Sequence, residues 1–180
     1  ARARLEWISR GRECRQLVAW FGDLAGRAGE CQATVLGSGK PPRTVRGPRL
    51  PDPPIAEQVG RYICEPDAAV LAAKLAGTLA REHGLLRIAP RVAYLTSDRP
   101  TDDPALACFE IRELLPARAK KLKALLRERN VGRLEIKKRG IEVDPAALIK
   151  QLDLRGEQEA TLILTRIAGQ GTAILARRVT

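Results

Sequence analysis

The chain has 180 residues and carries 32 Lys and Arg against 21 Asp and Glu, which gives a formal net charge of +11 at pH 7. Hydrophobic residues make up 44% of the chain, enough to build a core, so the composition excludes a disordered protein. Aromatic residues reach only 3%, which argues against a protein that binds single strands by stacking bases on aromatic platforms. The sequence shows neither a signal-peptide pattern nor an apolar run long enough to span a bilayer, and we expect a cytoplasmic protein without membrane contact.

The first 36 residues have the pattern of β-structure. Alternating and apolar runs predict strands over residues 4–9, 16–21 and 32–36, and the first two form a hairpin. So few strands cannot bury both faces of a sheet, and we expect them to be the edge of a larger sheet that continues before Ala1. Because the chain starts at Ala1 and contains no methionine, we expect a piece of a longer protein.

Residues 37–61 hold six of the twelve prolines and no apolar periodicity, which predicts a linker. The Gly-Ser-Gly at 37–39 is similar to the start of a phosphate-binding loop. However, Pro41 and Pro42 stand where such a loop must open a helix, so we reject a nucleotide site at this position.

A second domain is predicted from Tyr62 onwards. Asp67 is placed to cap a helix over residues 68–82, and short strand patterns follow at 85–88 and 92–95. A loop then carries three acids, which turns and caps explain more simply than a metal site. These acids are Asp98, Asp102 and Asp103.

The sequence offers no catalytic set and no metal site. His83 is the only histidine, so a Ser/His/Asp arrangement cannot be assembled. The cysteines lack the close pairs that zinc sites use, and we expect each to be a buried free thiol. They are Cys14, Cys31, Cys64 and Cys108.

The basic segment, residues 118–139, dominates the charge of the chain. It holds ten basic residues against two acidic ones, a local balance of +8. Leucines at helical spacing and then an alternating run predict a basic helix, a turn at Asn130 and Gly132, and a basic strand. This density of one sign is typical of a nucleic-acid-binding surface. The predicted RNA-binding residues are Arg118, Lys120, Lys121, Lys123, Arg127, Arg133, Lys137, Lys138 and Arg139.

The alternative interpretation of the basic segment is a solvated surface that only keeps the protein in solution. The near absence of partner acids argues against it. If the helix and the strand pack together, their charges border one groove, with Lys137 and Arg139 as exposed contacts. The leucines and isoleucine that would form this packing are Leu122, Leu126, Leu134 and Ile136.

The end of the chain adds further elements. Asp144 and Pro145 begin a short helix that reaches residue 152, and strands over 160–167 and 172–179 form a hairpin. This mixture of helices and strands predicts an α+β fold. The predicted organisation is strands at 1–36, a linker at 37–61 and a domain at 62–180.

Several segments of the second domain resemble the THUMP-like domain at the C-terminal end of a family of bacterial Rossmann-type S-adenosylmethionine-dependent methyltransferases. The resemblance runs from Gly60 to Arg178 and is carried chiefly by VGRLEIKKRG, the Asp144-Pro145 step and EATLILTR. The preceding LEWISRGRECRQLVAWFG is similar to the last antiparallel hairpin of the same family's methyltransferase domain. The resemblance therefore implies edge strands of a truncated Rossmann-type sheet, a Pro-rich linker and a mixed α+β THUMP-like domain.

The function implied by the resemblance is an RNA-binding, substrate-recognition module of a methyltransferase, with tRNA or rRNA as the partner. The cofactor, S-adenosylmethionine, and the catalytic residues are then expected in a methyltransferase domain before Ala1, which is itself a partner. The alternative is a protein-interaction or structural domain. Its basic face would dock on an acidic partner or on its own catalytic domain.

Overall fold

The structure is a computed structural model that describes residues 3–27, 29–37 and 41–179. The helices are α1 (Ala68–Ala72), α2 (Ala76–His83), α3 (Ala119–Glu128) and α4 (Pro145–Leu152). The strands are β1 (Ala3–Arg10), β2 (Glu13–Phe21), β3 (Cys31–Leu36), β4 (Arg43–Gly47), β5 (Tyr62–Pro66), β6 (Leu86–Arg87), β7 (Leu95–Ser97), β8 (Leu106–Pro116), β9 (Val131–Lys138), β10 (Gln158–Ile167) and β11 (Gln170–Arg178). A 3-10 helix, Gly22–Ala25, follows β2. The predicted α+β class is confirmed.

The N-terminal sheet has the strand order β2-β1-β3-β4. β1 and β2 form the predicted hairpin, and its two turn residues, Gly11 and Arg12, have φ values of 60° and 65°. Two positive φ values give a turn whose twist matches that of the strands. β3 runs parallel to β1, and β4 pairs with β3 from inside the predicted linker, so that segment is not wholly irregular.

The second sheet has seven strands in the order β6-β7-β5-β8-β11-β10-β9. α3 and α4 pack on one face of β8 to β11, through a core that includes Leu122, Leu148 and Leu162. α1 and α2 lie between the two sheets, because their core joins Ala33 of the first sheet to Cys108 of the second. The helices therefore share one side of the large sheet, and the other side buries Ile63, Tyr94, Phe109, Ile163 and Ile174.

The face of the large sheet that buries Ile63, Tyr94 and Phe109 is concave. The β5 and β9 strands are four positions apart, which is roughly 19 Å in a flat sheet at about 4.8 Å per strand. Even so, the Lys137 Nζ of β9 lies 3.0 Å from the Glu65 Oε2 of β5. The sheet must curl strongly for these two side chains to meet.

Three predictions about the region after Tyr62 are wrong in detail. The single helix over 68–82 is two helices, because Lys74 takes a left-handed φ of 58° and breaks the hydrogen-bond ladder. The strands predicted at 85–88 and 92–95 reduce to the short β6 and β7. The break turns α2 so that Gly77 fits against the backbone of Pro51, where a Cβ atom would lie 2.2 Å from the carbonyl oxygen.

The expectation of four buried free thiols is also wrong. Cys64 and Cys108 stand opposite each other on β5 and β8 and form a disulfide. Cys14 is exposed on β2, and only Cys31 is a buried free thiol. The spacing of 44 residues between the bonded pair gives no local sequence signal, since the pairing depends on the register of two strands.

Candidate nucleic-acid interface

The basic helix α3 forms where the sequence predicts it and is anchored by one apolar face. Leu122 and Leu126 are buried against the sheet, with Leu125 of the same helix partly buried beside them. These positions recur at helical spacing, so the remaining positions of the helix face outward. The helix ends at Glu128, and Asn130, two residues further on, has a φ of 52°, the left-handed conformation that stops a helix.

Four cations of this helix region are exposed and lack an ion-pair partner among the described residues. They are Arg118, Lys120, Lys121 and Arg127. A fifth cation, Lys123, lies 3.3 Å from Asp153, and both side chains are well exposed. An exposed pair of this kind contributes little to stability and exchanges readily for another anion. We call the four unpaired cations the α3 patch.

Three cations of the α3 patch, Arg118, Lys120 and Lys121, lie at the amino end of the helix, whereas Arg127 lies in its last turn. The amino end of a helix carries a partial positive charge and favours acidic residues, yet α3 has no acidic residue in its first turn and no side-chain cap. Lys120 and Lys121 instead occupy that turn. The charges of the side chains and of the helix end add together here, which raises the local positive potential at a small cost in helix stability.

The cations of β9 are placed differently from those of α3. Leu134 and Ile136 pack with α3, so the alternation of the strand sends Arg133 and Lys137 to the opposite face. Lys138 lies on the helix side and donates to the Val143 carbonyl at 2.7 Å. The predicted packing is therefore confirmed, but the predicted single groove is wrong, because the sheet lies between Lys137 and the α3 patch.

Lys137 and Arg139 are counter-ions of a buried acid. Lys137 Nζ lies 3.0 Å from Glu65 Oε2, and Arg139 Nη2 lies 2.9 Å from Glu65 Oε1. The side chains of Lys137 and Glu65 are only 17% and 11% exposed, so this pair is largely removed from water. The expectation that Lys137 is an exposed contact is wrong, and a role of either cation in RNA binding stays a prediction.

The electrostatics of this Glu65 cluster follow from burial and pairing. Burial alone would raise the pKa of Glu65, but the hydrogen bonds and charges of Lys137 and Arg139 outweigh it and hold the pKa below its ordinary value. Burial raises the pKa of the neighbouring Tyr94, so that hydroxyl stays protonated. Arg12 of the β1–β2 turn donates to the Glu65 carbonyl at 2.8 Å and thus ties the N-terminal sheet to the same cluster.

Comparison with known proteins assigns the C-terminal part of the chain. Residues 106–178 match the family described as "THUMP domain-like". That range contains α3, β9 and the C-terminal hairpin. This part of the chain is therefore similar to a THUMP-like domain, and we call residues 106–178 the THUMP-like domain.

Two curated relatives extend the match beyond the THUMP-like domain. They are described as uncharacterized S-adenosylmethionine-dependent methyltransferases of two strains of Mycobacterium tuberculosis, CDC 1551 and H37Rv. Each is 35% identical over 163 residues, which is 91% of this chain and 44% of the relative. The chain therefore spans less than half the length of the curated relatives it matches.

A solved structure shares the fold of both sheets. It is the crystal structure of a "putative methyltransferase" from Porphyromonas gingivalis W83, with a TM-score of 0.81 and 20% sequence identity. The match covers 99% of this chain and 46% of that one. At this identity the likeness shows the fold alone, and it includes the N-terminal sheet as well as the THUMP-like domain.

A second polar cluster lies outside the THUMP-like match. Ligand-type atoms of Glu82, His83 and Asp103 lie within 4.8 Å of one another. Arg43 donates to Asp103 at 2.9 Å and to Glu82 at 2.6 Å. The Arg43 guanidinium therefore supplies the positive charge that a metal ion would otherwise bring to these two carboxylates. Burial would raise the pKa of Asp103, but bonds from Arg43, the Ala105 amide and His83 lower it overall. This cluster joins β4 to the second sheet by ion pairing.

The predicted loop acids have structural roles where the structure defines one. Asp103 accepts from the Ala105 amide at 2.8 Å, and Asp98 accepts from the Arg61 amide at 3.2 Å. His83, at the end of α2, lies 2.8 Å from Asp103.

In the described ranges, no helix is long and apolar enough to cross a membrane.

Sequence reasoning missed the Glu65 cluster. The sequence signal that could have found it is Glu65, the one acid in the otherwise apolar run Tyr62–Pro66. Every residue of that run is buried. A buried carboxylate requires counter-charges. The sequence does not show which cations supply them, because Lys137 is 72 positions away.

Proposed function

We propose that this chain is the RNA-binding, substrate-recognition part of an S-adenosylmethionine-dependent methyltransferase. The observation that carries the proposal is the α3 patch, whose four cations are exposed and unpaired among the described residues. The match of residues 106–178 to the THUMP domain-like family supports it, as do the names of the curated relatives. In this proposal the cofactor and the catalytic residues belong to the part of the protein that this chain does not include.

The mechanism of recognition is contact with the phosphate backbone. Flexible lysines and arginines on a convex helix reach phosphates as point charges and release the counter-ions condensed on the RNA. The hydrophobic anchoring of Leu122 and Leu126 holds the helix in place while its outer face remains in water. Such contacts position the RNA without reading its sequence. Choice of the target nucleotide then lies elsewhere in the protein.

The test is a titration of a structured RNA at rising salt concentration. Binding by the α3 patch predicts a steep fall in affinity, with roughly one unit of log–log slope for each phosphate contact. Lys120→Glu with Lys121→Glu should weaken binding at least about tenfold and lower the slope by about two. The matched control is Arg10→Glu with Arg81→Glu, two exposed cations outside the basic segment, which should bind as the wild type does.

The alternative, a basic face that docks on an acidic protein surface, makes the opposite forecast. RNA affinity that does not change between low and physiological salt, or an equal loss in both double variants, would contradict the proposal. A pull-down of the upstream methyltransferase domain that resists nuclease, and is lost in Lys120→Glu with Lys121→Glu, would favour the alternative.

A further inference from the structure

A cavity of about 360 Å³ lies away from the α3 patch, where the Pro-rich segment passes the break between α1 and α2. Its volume falls in the lower part of the range for small-ligand pockets, about 300–1,000 Å³. The floor is apolar and includes Leu50, Leu71 and Leu95. We call it the Lys74–Arg91 pocket after the two cations on its rim.

The charges around the Lys74–Arg91 pocket are unbalanced. Four cations line it against one acid, Asp52. That acid is already used, because it accepts from Arg87 at 2.7 Å. Lys74 and Arg91 are exposed and have no partner among the described residues. An apolar floor with two free positive charges at its rim fits a ligand that is apolar in one part and anionic in another.

The two rim cations, Lys74 and Arg91, both occupy positions with an unfavourable backbone conformation. Lys74 and Arg91 both have a φ of 58°, a left-handed conformation that is unfavourable for a residue with a side chain. Glycine would remove that cost at either position. Residues held in sparsely populated backbone conformations are found more often at functional sites.

One further feature selects the shape of the ligand. Arg87 donates to Asp52 at 2.7 Å and to the Pro53 carbonyl at 2.9 Å, so its planar guanidinium is held in a fixed orientation at the pocket wall. Guanidinium planes stack on the faces of nucleic-acid bases, and aliphatic floors accept the same rings. Lysine and arginine side chains both bind phosphate, arginine through paired N–H groups and lysine as a point charge.

We propose that the Lys74–Arg91 pocket binds a single nucleotide, with the phosphate on Lys74 and Arg91 and the base over the floor beside Arg87. In its RNA form the inference rests on the proposed function, since the nucleotide then belongs to the RNA substrate. The same chemistry also fits a free nucleoside monophosphate. The two sources are separated by experiment.

The test uses the whole chain with Lys74→Asn and Arg91→Asn, since asparagine tolerates a left-handed φ and removes the charge. Lys74→Gly with Arg91→Gly is the second variant, and it should keep or raise the melting temperature because it relieves the strain. The control is Arg10→Gln with Arg81→Gln. Each protein is titrated with the four nucleoside monophosphates by calorimetry and with the structured RNA by filter binding.

The inference predicts that wild type and control bind a monophosphate, and that both pocket variants lose this binding and bind RNA at least about fivefold more weakly. RNA binding that survives in the pocket variants but not in Lys120→Glu with Lys121→Glu overturns the RNA form and leaves the proposed function standing. If the wild type binds no RNA, the proposed function fails, and monophosphate binding lost in the pocket variants still supports a nucleotide site. Absence of monophosphate binding together with unchanged RNA affinity in the pocket variants overturns the inference.

Discussion

The α3 helix and the end of β9 have similar basic sequences and opposite roles in the fold. Lys120 and Lys121 extend into solvent, whereas Lys137 and Arg139 reach across a curled sheet to a buried carboxylate. Lys121 and Lys137 are only 16 positions apart in the sequence. A count of charges therefore cannot distinguish a free cation from a counter-ion.

What distinguishes the two regions is Glu65. Its carboxylate is buried on β5, and leaving it unpaired there would cost several kcal/mol. The curl of the sheet brings β9 within reach of it, so the β9 cations are held by the fold, while the α3 cations remain available to a partner.

The first prediction concerns reversing the charges at the end of β9. Lys137→Glu with Arg139→Glu would place new carboxylates beside Glu65, and we expect a loss of at least about 3–5 kcal/mol in the free energy of unfolding. Urea denaturation followed by circular dichroism measures this loss. The matched variant is Lys120→Glu with Lys121→Glu, which should change stability by less than about 1 kcal/mol and in the favourable direction, since acids suit the first turn of a helix.

This pair of double variants can refute the contrast directly. If both reach the same urea midpoint as the wild type, the Glu65 cluster does not contribute to folding. The basic residues of α3 and those at the end of β9 would then be equivalent in their effect on stability. The result would also restore Lys137 and Arg139 as candidates for free RNA contacts.

The second prediction concerns the pH dependence of the cluster. The folded-state pKa of Glu65 lies below its ordinary value of 4.5, so its carboxylate stabilises the fold above that pH. This contribution is lost as the pH falls through the folded-state pKa. Glu65→Gln should therefore be less stable than the wild type by about 3 kcal/mol at pH 7, and the difference should shrink below pH 4.5.

Urea unfolding of the wild type and Glu65→Gln between pH 7 and pH 3 checks this expectation. A matched variant is Glu159→Gln, whose carboxylate pairs with Arg133 on the surface of the same sheet. It should show little difference from the wild type at any pH. A stability gap for Glu65→Gln that stays constant through the acid range would mean that its carboxylate pairing is not what the substitution removes.

The parts of the fold that the sequence predicts are those set by neighbouring residues. Asp144 and Pro145 begin α4 as expected, with the Asp144 side chain accepting from the Ala146 amide at 2.9 Å. The apolar positions of α3 and the alternation in β9 likewise fix which side chains face the core. Local chemistry decides such elements, so local patterns are enough to predict them.

The parts that the sequence does not predict depend on contacts between distant segments. β4 forms inside a proline-rich stretch because β3 offers it an edge to pair with. The Cys64–Cys108 disulfide and the Glu65–Lys137 pair require the register and the curl of the second sheet. For the candidate site, the sequence identifies the basic segment but does not show which cations remain free, because their partner acids are not neighbours in the chain.

The third prediction compares two cations on one face of β9 and has the smallest effect. Arg133 pairs with Glu159, and these side chains are 77% and 67% exposed, whereas Lys137 pairs with the largely buried Glu65. Because water and salt screen an exposed pair, we expect Arg133→Gln to lower the free energy of unfolding by no more than about 0.5 kcal/mol. Lys137→Gln should lower it by at least about 1 kcal/mol, since it weakens the pairing of a buried carboxylate. Urea unfolding at 0.05 M and 0.5 M salt separates the two: the Arg133 effect should vanish at high salt and the Lys137 effect should remain. Equal losses with equal salt dependence would show that burial does not set the roles of these two residues, and the contrast between β9 and α3 would then need another cause.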